Sequence, residues 1–151
     1  MRVFRISQAK YTNDLSGKGA ELYGGRWNPV GYPVLYTAGS LSLAMLEIMV
    51  NSARDRLIPP GYQVLTLDIP DDSIDQLEPS KFFALRKGKN YAAFQQTGKA
   101  WLDICTTLAL QVPSVVVPSE SNYLLNPSHA RYPEIRIVDI QPLFLDSRLM
   151  E

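Results

Sequence analysis

Cysteine and histidine are nearly missing from this sequence. Cys105 and His129 are the sole residues of their kinds among 151. One cysteine closes no internal disulfide, and the pair falls short of the four ligands that common structural zinc sites need. Net charge is lacking too. Fifteen Lys and Arg offset fifteen Asp and Glu, so no overall positive field exists to hold a polyanion by counterion release, and nucleic acid is not expected as the principal ligand. Long apolar runs are absent as well. The opening MRVFRISQAK carries Arg2, Arg5 and Lys10 with no apolar segment of signal length, and the longest apolar helix candidate, around Leu41 to Val50, contains Glu47. A cytoplasmic chain without a membrane anchor is expected. Neither a fixed-period repeat nor a Walker loop, CxxC, HExxH or dinucleotide-binding glycine fingerprint occurs.

What is present is enough apolar material for a core. Hydrophobic residues make up 46% of the 16.9 kDa chain and charged residues 20%, which suits one globular domain over residues 1–151. The eleven prolines stand as single breaks or as the pair Pro59-Pro60, never as a linker.

The β-branched and aromatic mixture of residues 1–6 predicts an opening strand, followed by an irregular loop over 16–25, where Gly17, Gly19, Gly24 and Gly25 cluster. Residues 33–37 (PVLYT) predict a second strand. Ser40 can accept hydrogen bonds from first-turn amides, and Leu43, Leu46 and Val50 recur at helical spacing, so a helix is expected over 41–53. Leu65, Leu67 and Ile69 alternate with polar residues, the pattern of a half-buried strand over 65–69. Polar residues dominate 71–98, where Phe82, Phe83, Tyr91 and Phe94 predict short helical turns pinned to the body. Trp101, Leu102, Cys105 and Leu108 predict a buried helix over 97–110 that ends before Pro113, and valine-rich 114–117 predicts a strand. A last strand is expected over 135–140, with Ile135, Ile137 and Asp139 on one face. Strands and helices mix without regular βαβ alternation, so the class is α+β.

Three positions stand out chemically. Glu47 sits in LAMLEIMV, where apolar residues at i−4, i−1 and i+3 leave a carboxylate little access to water. It reads either as the solvated edge of an amphipathic helix or, more strongly, as an acid facing a cleft, where desolvation and a cationic substrate would govern it. Arg26 lies in Tyr23-Gly24-Gly25-Arg26-Trp27-Asn28. Its planar fork suits phosphate, with amides of the glycine-rich bend adding to it, but a surface arginine stacked on Trp27 accounts for the pattern equally well. Ser114, Asn122 and Asn126 gather around a strand end and a loop, a frequent place for binding groups. On sequence alone, Ser114 reads more simply as a hydroxyl satisfying backbone beside Pro113. His129 has no acid or cysteine at catalytic spacing and reads as a loop residue.

Taken together, Gly24-Gly25-Arg26-Trp27-Asn28, Tyr36-Thr37, Ala44-Met45-Leu46-Glu47, Val112-Pro113-Ser114 and Asn122-Tyr123-Leu124-Leu125-Asn126-Pro127 resemble the RES domain family of bacterial toxins, in order and spacing, from about Arg5 to Ile140. The family's arginine, glutamate and serine map onto Arg26, Glu47 and Ser114; Ser119 and Ser121 are nearby rivals for the serine. The resemblance implies an ADP-ribosyltransferase-like fold with short mixed or antiparallel strands and a few helices around a cleft. It implies cleavage of NAD+, consumed as substrate with no further cofactor or metal. A helix-turn-helix antitoxin of the Xre type is the implied partner, and a homo- or hetero-oligomer is compatible with it.

On that resemblance, Glu47 would oppose the positive charge that grows on the ribose as nicotinamide leaves, and Arg26 with Arg5 would neutralise the pyrophosphate. Tyr36 would pack on nicotinamide or its ribose, and Ser114 with Asn126 would orient hydroxyls or the carboxamide. Water, phosphate or a protein side chain could accept the ADP-ribosyl group. The lack of an obvious second carboxylate beside Glu47 favours a small acceptor, unless Glu134 or Asp139 folds close. Protein ADP-ribosylation, or a module that binds ADP-ribose without turnover, are the alternatives.

Overall fold

The computed structural model describes residues 1–52, 58 and 60–150. In chain order its elements are β1 (Arg2–Gln8), α1 (Lys18–Tyr23), β2 (Leu35–Ala38), α2 (Leu41–Ser52), β3 (Tyr62–Asp68), β4 (Ile74–Gln76), α3 (Pro79–Gly88), α4 (Tyr91–Ile104), β5 (Ala109–Pro113), β6 (Ser121–Leu125) and β7 (Arg136–Pro142). All seven strands form one sheet in the order β4-β5-β6-β2-β1-β3-β7. Its neighbours are antiparallel except β4 and β5, which run parallel. The mixed α+β class expected from the sequence is the one found.

Burial divides the sheet by face. Leu110, Val112 and Leu124 point to one side, where Trp27, Phe82, Phe94 and Trp101 cover them from α3, α4 and the loop before β2. Ala109, Tyr123 and Leu125, one residue out of step, point to the other side with Val3, Leu35, Leu65 and Leu67. Successive strand residues face opposite ways, so strands clothed on both faces read as continuous apolar runs. That is why LALQV and YLL escape an alternation search.

The strand over 65–69 is β3, but Val64, Leu65, Thr66 and Leu67 are all buried, so it is covered on both faces rather than half-buried. The final strand, β7, is exposed throughout and forms the sheet's edge. A register shift opposite Thr66 and Leu67 bulges it, and Arg136, Asp139 and Pro142 lie along it. Bulges, charges and proline discourage pairing with another strand.

Four sequence expectations need correction. The loop over 16–25 contains α1, a short helix that glycine content concealed. The turns within 71–98 are the strand β4, the helix α3 and the first turns of α4. The buried helix runs from Tyr91 to Ile104 rather than over 97–110. Asn90 caps its start by accepting from the Ala93 amide at 3.3 Å, and Cys105, at φ +56°, ends it in the left-handed region. The strand expected over 114–117 lies just before it, at β5. Ser114 Oγ accepts the amides of Val116 and Val117, each at 3.0 Å, and folds that stretch into a turn instead. The helix over 41–53 appears as α2, with residue 53 outside the described residues; of its expected stripe Leu43 is buried, while Leu46 and Val50 are exposed.

Candidate active site

β1 is hydrogen-bonded to β3 along its whole length but meets β2 only at Phe4 and Ala38. Beyond that point the sheet opens at its centre. The opening forms a cleft of about 320 Å³, whose polar lining comes chiefly from Arg5, Asp14, Lys18, Tyr36, Glu47 and Asn122. That is the lower end of the size range of small-molecule sites.

α2 carries Glu47 to this cleft. Ser40 Oγ accepts from the Leu43 amide at 3.1 Å and fixes the helix start, while buried Leu43 and Ala44 dock the first turn against the sheet beside Ala38, Phe4 and Ile6. Positions three and four residues further on share that face, so Glu47 and Ile48 arrive at the cleft wall with Asn51. Glu47 is half-buried. Its Oε1 accepts from Ser114 Oγ at 2.7 Å and from Asn122 Nδ2 at 2.7 Å. Asn122 was visible in the sequence only as part of a motif. Its signal is position: it pairs with Ala38 in β2 and Val112 in β5, so it points where the sheet opens.

The opposite part of the cleft is built on β1 and the turn after it. Arg5 donates through Nη1 to the carbonyl oxygens of Tyr11 and Asp14, at 3.3 and 3.4 Å. Burial pulls the pKa of its guanidinium below the ordinary arginine value, but arginine stays charged in any case. Asp14 accepts from both the hydroxyl and the amide of Ser16, which hold its carboxyl below the usual carboxylate range. It is a second carboxylate lining the cleft, where the sequence offered no obvious one. Lys18, at the start of α1, completes this wall with its Nζ 3.3 Å from Glu21. Glu134 and Asp139 do not approach: Glu134 is paired with Arg131, and Asp139 lies on the edge strand opposite Thr66.

Tyr36 lines the cleft with its hydroxyl already committed. It accepts from the Trp27 amide at 3.0 Å and donates to Asn28 Oδ1 at 2.6 Å, and burial raises its pKa. What it can offer a ligand is its ring.

Arg26 is not brought to the Glu47 cluster. It is exposed, with its guanidinium over the rings of Phe94 and Tyr91, 5.3 and 5.9 Å from their centroids. Three amides of the glycine-rich bend are already taken as well. Those of Gly24, Gly25 and Trp27 are bound to Ala20 O, Asn28 O and the Tyr36 hydroxyl. Its glycines serve packing: a Cβ on Gly25 would stand 2.6 Å from the Tyr36 hydroxyl oxygen. Asn126 is elsewhere too. Fully buried, it donates to Leu102 O and contacts Cys105 Sγ, and its Oδ1 accepts from the Ser128 amide, which ties the end of α4 to the loop after β6. The amide that the site does contain belongs to Asn122. His129 is a loop residue, as expected; its Nδ1 accepts from the Arg131 amide. Among the described residues no cluster of acids, cysteine and histidine is arranged to hold a metal, and no helix is long and apolar enough to cross a membrane.

Comparison with known proteins identifies the family and the fold. A family described as the RES domain matches residues 2–146. The chain is 36% identical to Toxin Res of Photorhabdus laumondii over 157 residues, which cover 100% of this chain and 98% of that protein. It is 34% identical to the Prs ADP-ribosylating toxin of a Sphingobium strain over 156 residues, 99% and 94% of the two chains. In fold it is similar to a chain of the crystal structure of the Mycobacterium tuberculosis MbcT–MbcA toxin–antitoxin complex, with a TM-score of 0.78 at 21% identity, over 99% of this chain and 86% of that one. In sequence, MbcT, named an NAD(+) phosphorylase, is 33% identical over 63 residues, 38% of this chain and 34% of that protein.

Proposed function

The chain belongs to the RES domain family, and from that premise we propose that it is a toxin that cleaves the bond between nicotinamide and ribose in NAD+, with water or phosphate as acceptor. One observation carries this reading: a single glutamate, Glu47, is hydrogen-bonded in place on the wall of a cleft whose other wall presents Arg5 and Lys18. The names of the MbcT and Prs relatives support the same chemistry.

One carboxylate suffices for this bond. Nicotinamide departs as a neutral base from a cationic ring, so no acid has to protonate the leaving group, unlike the oxygen released in glycoside hydrolysis. Positive charge grows on the ribose as the bond lengthens, and a fixed carboxylate beside it stabilises that charge more than the ground state. Arg5 and Lys18 face the pyrophosphate, and the Tyr36 ring packs on the nicotinamide ribose. Arg26 leaves its aromatic perch to close on the phosphates. NAD+ is the substrate, and the chemistry needs no other cofactor.

The partner in this reading is an antitoxin, supported by the fold the chain shares with a toxin–antitoxin complex, and of the Xre helix-turn-helix type that the family resemblance implies. Leu46 and Val50, exposed on the helix that carries Glu47, offer apolar surface beside the cleft. A second acceptor reading, transfer of ADP-ribose to a protein side chain, is favoured by the Sphingobium relative's name and by Asp14 as a second carboxylate in the cleft.

The test is incubation of the purified chain with NAD+, with and without inorganic phosphate. Free nicotinamide is expected, together with ADP-ribose when water is the acceptor or its anomeric phosphate when phosphate is the acceptor. NAD+ left intact in both arms by folded protein overturns the small-acceptor reading, and labelled NAD+ with cell extract then tests protein targets.

A further inference from the structure

Glu47 is held by one oxygen only. Its Oε1 receives two donors at 2.7 Å, Ser114 Oγ and Asn122 Nδ2, while Oε2 has no hydrogen-bond partner among the described residues. We propose that Ser114 and Asn122 are positioning residues: they clamp Oε1 from behind and leave Oε2 as the oxygen that meets the ribose. This rests on the reading that NAD+ is cleaved in this cleft.

The serine's own bonds define its part. A hydroxyl has one proton and two acceptor sites. The amides of Val116 and Val117 fill both acceptor sites, and the proton goes to Glu47. Nothing remains with which to contact substrate, and Ser114 is 0% exposed. Its lone pairs are occupied by donors, so it is no nucleophile either. The serine transmits the rigidity of its turn to the carboxylate. Asn122 does the same from the other side, through a strand paired on both edges, with Ala38 and with Val112.

Clamping matters because the terminal torsion of a glutamate is soft: the carboxylate plane turns over a broad range unless something stops it. Two charge-assisted bonds on one oxygen stop it. Three elements then converge on one atom: α2 brings the acid, the turn after β5 brings a hydroxyl, and β6 brings an amide. A fixed charge needs no reorganisation when the oxocarbenium forms, and that is where preorganised electrostatics contribute most. The expectation that Ser114 orients substrate hydroxyls is replaced by a role one atom removed from the substrate.

The experiment measures nicotinamide release from NAD+ by the full chain for Asn122→Ala, Ser114→Ala, Glu47→Gln and the two double variants with Glu47→Gln. Asn122→Ala breaks only the bond to Glu47, whereas Ser114→Ala also strands two amides of the turn, so Asn122→Ala decides the matter and a thermal melt confirms its fold. Its kcat is expected to fall about tenfold to hundredfold, the scale of a misplaced catalytic group, with KM within about twofold. In the Glu47→Gln background the same change should cost less than about threefold, because no charge is left to place. An equal loss in both backgrounds, a rise in KM that exceeds the fall in kcat, or unchanged activity of Asn122→Ala overturns the positioning role while NAD+ cleavage stands. A wild-type chain that releases no nicotinamide overturns the parent reading and this one with it.

Discussion

Two side chains that stand out in the sequence, Glu47 and Arg26, end in opposite kinds of surroundings. Glu47 is half-buried and gripped by groups from two other parts of the chain. Arg26 is exposed, without a hydrogen bond to the described residues, and rests on two aromatic rings. The loop beneath Arg26 is nevertheless rigid. Gln95 donates to the carbonyl oxygens of Gly25 and Asn28, Asn28 donates to those of Ala20 and Tyr32, and Trp27 packs edge-on against Phe94 at 5.1 Å. Rigidity is therefore spent on the backbone in one place and on the functional group itself in the other. That difference fits two tasks. A charge that acts on a bond as it breaks must be placed beforehand, whereas a charge that captures a flexible diphosphate can arrive with it.

The largest effect should come from the placed charge. Glu47→Gln keeps the shape and the acceptor for Ser114 and Asn122 but removes the negative charge, so kcat should fall a hundredfold to a thousandfold, about 2.7–4 kcal/mol of transition-state stabilisation. NAD+ binding by titration calorimetry should persist, since an amide is easier to desolvate than a carboxylate and the fold is kept. Near-normal turnover would reduce Glu47 to a structural residue and end the contrast with Arg26.

Next comes the loop's foundation. A Cβ on Gly98, in α4, would lie 1.8 Å from the carbonyl oxygen of Trp27, so backbone meets backbone there and neither side has a flexible group to move. Gly98→Ala gains about 1 kcal/mol of helix propensity but loses more by overpacking. A net destabilisation of about 2 kcal/mol should lower Tm by about 4–8 °C, and KM for NAD+ should rise because the Arg26 loop is displaced while the Glu47 clamp is not. An unchanged Tm would show that the loop yields freely and that its rigidity has been overstated.

These two residues also mark how far the sequence was legible. β1, β2, α2, β3 and β7 follow from local pattern, and Glu47 was conspicuous because a carboxylate in an apolar helix has few local explanations. Ser40 predicted its helix cap for the same local reason. What local pattern missed depends on the whole sheet. β5 and β6 are apolar on both faces because each lies between neighbours under covered faces, and Asn122 becomes a site residue only when β6 lands beside β2. Cys105 continued a helical spacing in the sequence, but its left-handed backbone ends the helix and sends Leu108 toward β5. The bend at 24–28 misled for a related reason: glycine pairs read equally as an anion nest or as close packing, and tertiary contacts with Tyr36 and α4 select the second. Asn126 shares a motif with Asn122 but lies four residues on, past the end of β6, where it meets the end of α4 instead of the cleft.

Removing the captured charge should have a smaller effect than removing the placed one. Arg26→Ala is expected to raise KM about tenfold with kcat within about threefold, the pattern of lost uniform binding. Arg26→Lys should recover only part, since an ammonium lacks the bidentate fork for phosphate. Stability should fall by no more than about 1–2 kcal/mol in Arg26→Ala, the worth of its two exposed cation–π contacts, and by less in Arg26→Lys. A fall in kcat equal to that in kcat/KM would place Arg26 on the transition state instead and bring it level with Glu47.

The smallest effect tests whether Arg26 must leave its perch. The guanidinium lies over Tyr91 and Phe94 and does not line the cleft, so reaching a bound pyrophosphate requires giving up two cation–π contacts, each about 0.5–1 kcal/mol at an exposed site. Phe94 is core and cannot be changed cleanly, but Tyr91 is half exposed at the first turn of α4 and leaves Asn90 to cap the helix without it. Tyr91→Leu keeps apolar cover and removes one ring. The stacked state then loses about half its hold, and KM for NAD+ should fall about twofold with kcat unchanged, an effect that disappears when Arg26 is already alanine. A rise in KM would mean the opposite: that the stacked guanidinium already stands where the phosphates bind, and that Arg26 is as preorganised as Glu47.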